Sequence, residues 1–150
     1  MFEYHDELYW AISGEIYGEA LFVTTAEQTM DSKTGMKCKL LAKVEQKTLA
    51  ALQALQLKYG IIIDEGAYQQ KGVANGQKII ERGWADTMSL FLEDVDADIE
   101  RMQALHDQAP EDDQPILALL VAHEVALKNF ILAETQNDPD SCRFLSDFLA

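Results

Sequence analysis

The sequence predicts an all-α protein, a bundle of four long helices with a short fifth at its C-terminal end. Three observations carry that prediction. The 150 residues include only 8 Gly and 3 Pro, few turn formers for a chain built of many short strands. Apolar residues recur at helical spacing through four long stretches. Short polar breaks separate the first stretch from the second and the third from the fourth, so each pair reads as an antiparallel hairpin.

The first predicted helix covers Glu3 to Met30, with Leu8, Ile12, Ile16, Val23 and Ala26 on one stripe. Gly14 and Gly18 weaken it by roughly 1 kcal/mol each relative to Ala but let a neighbouring helix approach closely. Glu19 falls near the middle of the stripe and Glu15 at its edge. The break Asp31-Ser32-Lys33-Thr34-Gly35 offers three N-cap candidates in Asp31, Ser32 and Thr34. The second helix runs from Met36 to Tyr59, with Leu41, Val44, Leu52 and Leu55 buried, Thr48 among them and Glu45 beside them.

Gly60 to Asn75 contains Ile61-Ile62-Ile63 and, after Gly60 itself, the glycines Gly66 and Gly72, with Gly76 just beyond, and shows no helical stripe. It reads as a long connection, extended or with a short helical piece. At ~3.3 Å per extended residue it can traverse the bundle, which makes the second and third helices parallel. The third helix runs from Gln77 to Asp107 on a stripe of Trp84, Met88, Phe91, Val95, Ile99 and Met102, with Asp98 inside the stripe and Asp94 at its edge. After a break at Asp107 to Gln114, with Asp112 or Asp113 as cap, the fourth helix runs from Pro115 to Glu134. Its face carries Ile116, Leu120, Leu127 and Phe130, and also His123, followed by Glu124. The last helix covers Pro139 to Ala150, capped by Asp138, with Phe144, Leu145, Phe148 and Leu149 on its buried side.

The formal net charge of −14 repels phosphate backbones and anionic lipid, so nucleic acid and membrane are not expected partners. The same charge suits solubility, cation attraction or a basic protein partner. Cys38 and Cys142 form no CxxC pair and suit reduced thiols in a cytoplasmic protein, with one disulfide left open. No apolar run is expected to span a bilayer, and the acidic, aromatic start MFEYHDELYW is not a signal peptide. No phosphate-binding glycine loop, zinc signature or calcium loop is present.

Counted from the turns at ~1.5 Å per residue, Glu19, Thr48, Asp98 and His123 fall near mid-bundle, with Glu45 and Glu124 at the margin. A buried charge costs several kcal/mol, of order 3, unless it is paired or holds a cation. Carboxylates converging with a histidine form a ligand set for a hard or borderline metal ion. The same groups also suit a purely structural hydrogen-bonded network.

From Glu3 to about Gln136 the chain resembles the ferritin-like superfamily, in its helix lengths, its crossover and its mid-helix polar positions. A di-iron member carries Glu on the first helix, Glu-x-x-His on the second, Glu on the third and Glu-x-x-His on the fourth. Here Glu19 matches the first. Glu45-Gln46-Lys47-Thr48 keeps the carboxylate and not the histidine. Asp98 stands for the third, and Leu120-Val121-Ala122-His123 keeps the histidine, with Glu124 one position beyond. The resemblance implies an incomplete metal centre of Glu19, Glu45, Asp98, His123 and Glu124, with iron or manganese as the ion. Any oxidase or peroxidase activity would rest on these ligands, and the small-molecule substrate is open. The alternative is a metal-free bundle acting as a homodimer, a larger homo-oligomer or an interaction module, with the last helix docked on its own bundle or on a second chain.

Overall fold

The computed structural model describes residues 2–150. Among them there are six α-helices and no strand: α1 Tyr4–Gln28, α2 Ser32–Tyr59, α3 Glu65–Arg82, α4 Trp84–Gln108, α5 Gln114–Thr135 and α6 Arg143–Leu149, with one 3₁₀ turn at Glu111–Asp113. The fold is all-α, as the composition and periodicity predict.

Local chemistry sets most boundaries. Asp31 accepts hydrogen bonds from the Lys33 and Thr34 backbone N–H groups and starts α2. Gly60 ends it in the left-handed region at φ 61°. Asp64 accepts from the Ala67 N–H at 3.2 Å and starts α3. Two expectations are corrected here. Most of the segment read as a connection, Gly60 to Asn75, is helical, from Glu65 onward, and belongs to the 18-residue helix α3. The helix read as continuous from Gln77 to Asp107 is broken at Gly83, φ 97°, so its first six residues, Gln77 to Arg82, belong to α3. The last helix also begins later than expected. Asp138 accepts from the Asp140 N–H and from Arg143 in a turn that precedes α6.

Side-chain contacts give the helix directions. Tyr9 meets Tyr68 and Tyr17 accepts from Asn75, while Gly76 lies against Thr24, so α3 runs alongside α1 in the same direction. Phe91 packs on Phe22 and Arg101 reaches Glu7, so α4 runs opposite to α1. Lys37 meets Glu134, while Lys58 meets Asp113, so α5 runs opposite to α2. α3 therefore carries the chain from one end of the molecule to the other. Its glycines are not breaks. A Cβ on Gly72 would lie 2.5 Å from the Tyr17 carbonyl oxygen, and one on Gly76 would lie 2.8 Å from the Thr24 Cβ. One helix turn apart, they form the bare strip on which α1 rests.

Two hydrophobic clusters form the core. Leu8, Ile12, Leu52, Leu105, Leu117 and Leu120 belong to one, and Phe22, Leu41, Met88, Phe130, Ile131 and Leu145 to the other. α6 docks on its own chain against α2 and α5, with Leu145 fully buried. Cys38 is buried and Cys142 half-buried, and both are free thiols. By length and hydropathy one stretch, Glu111–Thr135, is apolar enough to cross a membrane, with mean hydropathy 1.8 over its best window, against the expectation that none is. Here that stretch packs Leu117, Leu120, Phe130 and Ile131 into the core.

Each end of the molecule is tied by one carboxylate. Asp113 accepts from Tyr4 Oη at 2.8 Å, from Lys58 Nζ at 2.6 Å and from Tyr59 Oη. Asp113 stands before α5, but its side chain serves this junction and not the helix cap expected of it. At the other end Glu134 accepts from Lys37 Nζ at 2.7 Å, and from Trp84 Nε1 and Ser141 Oγ at 2.6 Å each.

Candidate metal centre

Between these two tied ends lies a layer with a different character. α1 contributes Glu15, α2 contributes Glu45 and Thr48, and α5 contributes His123 and Glu124, all buried. The His123 ring stands between two carboxylates. Its Nδ1 is 3.4 Å from Glu15 Oε2 and its Nε2 is 3.6 Å from Glu45 Oε2. Charge-assisted N–H···O bonds close to about 2.7–2.9 Å, so both approaches are too long to satisfy the groups they join. Among the described residues, the buried side-chain polar atoms that lack a hydrogen-bond partner are Glu15 Oε2, His123 Nδ1 and Thr48 Oγ1. All three belong to this layer.

The local sequence makes the convergence possible. Gly18 sits where a Cβ would come within 2.6 Å of Glu45 Oε1, so the absence of a side chain on α1 is what admits the α2 carboxylate. Phe148 of α6 covers the His123 ring at 5.8 Å between centroids and is held there by Lys47, whose Nζ donates to the Phe148 carbonyl at 2.7 Å.

Burial and mutual repulsion shape the protonation of the layer. Burial, then the Glu45 carboxylate, push the Glu15 carboxyl well above the usual range. Burial also works against ionised Glu45, but the facing His123 outweighs it and holds Glu45 low. For His123 burial favours the neutral ring, and Glu45 more than reverses this, so its pKa is raised. Burial pushes Glu124 up to about 7, opposed by His123 and reinforced by Glu45 and Asp98. Burial thus favours the protonated acid at Glu15, while His123 and Glu45 draw each other toward their charged forms.

One donor atom from each of Glu15, Glu45 and His123 lies within 4.8 Å of the others. This buried group could hold a metal ion. At metal–ligand bonds of about 2.1 Å the donors would close in on an ion placed among them, with His123 offering one of its two ring nitrogens.

Beside the layer, between α1 and α4, opens a cavity of about 330 Å³. Glu15, Glu45 and Glu124 reach it from the interior, and Asp98 and Asp94 line it from α4. Asp94 is exposed and Asp98 half-buried, and burial together with Asp94 raises the Asp98 pKa.

Of the residues predicted as ligands, Glu45 and His123 stand in the three-residue group. Glu124 and Asp98 line the adjoining cavity. Glu19 is half-buried, outside the group and outside the cavity lining, and Glu15 one turn earlier takes the α1 position. The reason lies in how α1 is covered. A stripe drawn through Val23 and Ala26 centres on Glu19, but those two residues are only half-buried, whereas Ala11, Gly18 and Phe22 are buried on the edge where Glu15 lies. Glycine at that edge carries no hydrophobic signal, so the true interior face was shifted from the visible one. No protein-family model, curated protein or solved structure matches the chain.

Proposed function

We propose that this is a ferritin-like protein whose Glu15, Glu45 and His123 bind one divalent first-row metal ion, with iron or manganese the natural candidates. The observation that carries the reading is the pair of orphaned atoms, Glu15 Oε2 and His123 Nδ1, facing each other, whereas the carboxylates that tie the two ends, Asp113 and Glu134, each accept three hydrogen bonds. A structural network gains only when its members are satisfied, and a half-satisfied one costs stability. A cation between these donors removes the deficit. Two carboxylates and one imidazole suit a hard or borderline ion and leave coordination positions for other ligands. The ferritin-like reading is supported by two antiparallel hairpins, α1–α2 and α4–α5, joined by a chain that crosses the molecule.

Such an ion, when bound, supplies Lewis acidity and, for iron or manganese, one-electron redox chemistry. The chain's own contributions are distinct. Glu15 and Glu45 neutralise the charge of the ion, and burial strengthens that attraction. Phe148 closes the histidine side against water. The cavity leaves the opposite side open to a small molecule.

The test is elemental analysis of protein purified without chelator, followed by anaerobic titration with Fe(II), Mn(II) and Zn(II). One equivalent of ion, lost in His123→Ala, is expected. No uptake of any of the three would sink the reading.

A further inference from the structure

The cavity beside the metal layer combines two features that a metal ion alone does not use. Its walls are apolar and aromatic, with Trp10, Phe22, Phe91 and Met102 among them, and its polar groups are carboxylates. None of the residues lining it is basic. Its volume, about 330 Å³, lies in the range of small-molecule sites and is far larger than one ion requires. Glu124 is 7% exposed, lines this cavity, and makes no hydrogen bond or ion pair with any described residue. Arg101, whose charge acts on Asp98, spends its hydrogen bonds on Glu7, donating at 2.7 Å while lying 3.8 Å over the Trp10 ring.

We infer that this cavity binds a small organic cation, an ammonium group carried on an apolar body, with Glu124 and Asp98 as its counter-ions and the aromatic rings as its wall. The inference extends the metal reading to the open side of the same centre. It rests on that reading only for assigning Glu15 and Glu45 to the ion, which leaves Glu124, Asp98 and Asp94 facing the cavity with no hydrogen bond or ion pair to a basic side chain and only the charges of His123 and Arg101 nearby. An anionic ligand would meet these carboxylates across an apolar, weakly screening wall and is rejected. A neutral ligand would leave Glu124 buried without a partner. A cation satisfies Glu124, and its apolar body takes the aromatic faces, which themselves attract cations. A second metal ion fits less well. Among the described residues, the group whose donor atoms converge is Glu15, Glu45 and His123, and it includes neither Glu124 nor Asp98.

The test uses three probes of similar shape, phenethylamine, 2-phenylethanol and 3-phenylpropionate, titrated calorimetrically into the full chain in chelator-treated and zinc-loaded forms. Phenethylammonium is expected to bind at least tenfold more tightly than the alcohol, and the carboxylate not at all. Glu124→Gln and Asp98→Asn should each weaken the ammonium at least fivefold and leave the alcohol unchanged, with far-UV circular dichroism confirming intact helices. Equal binding of ammonium and alcohol, or ammonium binding indifferent to both variants, would overturn the inference. Uptake of two zinc ions, reduced to one by either variant, would overturn it in favour of a second metal position. One zinc ion with no ammonium binding overturns this inference and leaves the metal reading standing. Ammonium binding without uptake of Fe(II), Mn(II) or Zn(II) overturns the metal reading alone.

Discussion

Glu15 Oε2 lies 3.4 Å from His123 Nδ1, and neither atom has a hydrogen-bond partner. The two residues are more than a hundred positions apart in sequence and come from helices that share no turn. A bound ion would satisfy both atoms and raise the stability of the folded chain by mass action. With free metal at a hundred times its dissociation constant the gain is about 2.7 kcal/mol. Glu15→Gln should lose most of that metal-induced rise in melting temperature, whereas Glu19→Gln should retain it. Thermal melts of both variants with and without Zn(II) make the comparison, and equal behaviour of the two would argue against Glu15 as a ligand.

Gly18→Ala tests the same centre without touching a donor atom. The new Cβ would stand 2.6 Å from Glu45 Oε1, the far end of a flexible side chain, so the carboxylate swings away at little cost to the fold. Alanine also favours the helix by about 1 kcal/mol over glycine. The expected result is a melting temperature within a few degrees of the parent, together with at least a tenfold loss of metal affinity in calorimetric titration.

At the α1–α3 contact the outcome reverses. A Cβ on Gly72 meets the Tyr17 carbonyl oxygen at 2.5 Å, and on Gly76 the Leu21 carbonyl oxygen at 2.9 Å. Backbone cannot swing aside, so Gly72→Ala and Gly76→Ala should each destabilise by about 1–3 kcal/mol despite the gain in helix propensity. Urea unfolding measures this, and a neutral effect at both positions would contradict the close packing of the two helices.

Asp113 sets a pH dependence. Burial disfavours its ionised form, but hydrogen bonds from Lys58, Tyr59 and Tyr4 prevail and hold its pKa below the ordinary value of 3.8. Below that ordinary value the unfolded chain binds more protons at this site than the folded chain, so stability rises with pH there. The contribution is present above the unfolded pKa and is lost as pH falls through the folded one. Asp113→Asn should cost about 2 kcal/mol at neutral pH and flatten the acid limb of a stability–pH curve. Chemical denaturation between pH 2.5 and pH 7 gives both values.

The helices themselves were legible because each buries an apolar face whose 3.6-residue period is written in one dimension. The fourth predicted helix, Pro115 to Glu134, matches α5 to within one residue at either end, since Pro115 opens it and a Thr-Gln-Asn run closes it. The mid-chain helix α3 was not legible. Gly66, Gly72 and Gly76 read as punctuation, and the use of Gly72 and Gly76 as a docking strip is visible only once α1 lies against them. Gly83 was hidden in the opposite way, in a helix drawn from Gln77 on the strength of a stripe that begins only at Trp84.

For the candidate centre, although tertiary structure brought Glu45 up to His123, the sequence alone put His123 near mid-bundle and Glu45 at the margin of that layer, because residue counts from short turns set height along a bundle. It also determined that a carboxylate from the first helix would join them. Which carboxylate joins them was decided by tertiary structure. Glu15 and Glu19 are one turn apart and differ by about 40° around the axis, less than the uncertainty of any stripe drawn through partly buried residues. The choice fell to Glu15 because α3 covers one flank of α1 and the cavity opens on the other, which leaves Glu15 and Gly18 buried against α2. Helix rotation is a property of neighbours, and neighbours are not encoded in the period of a single helix.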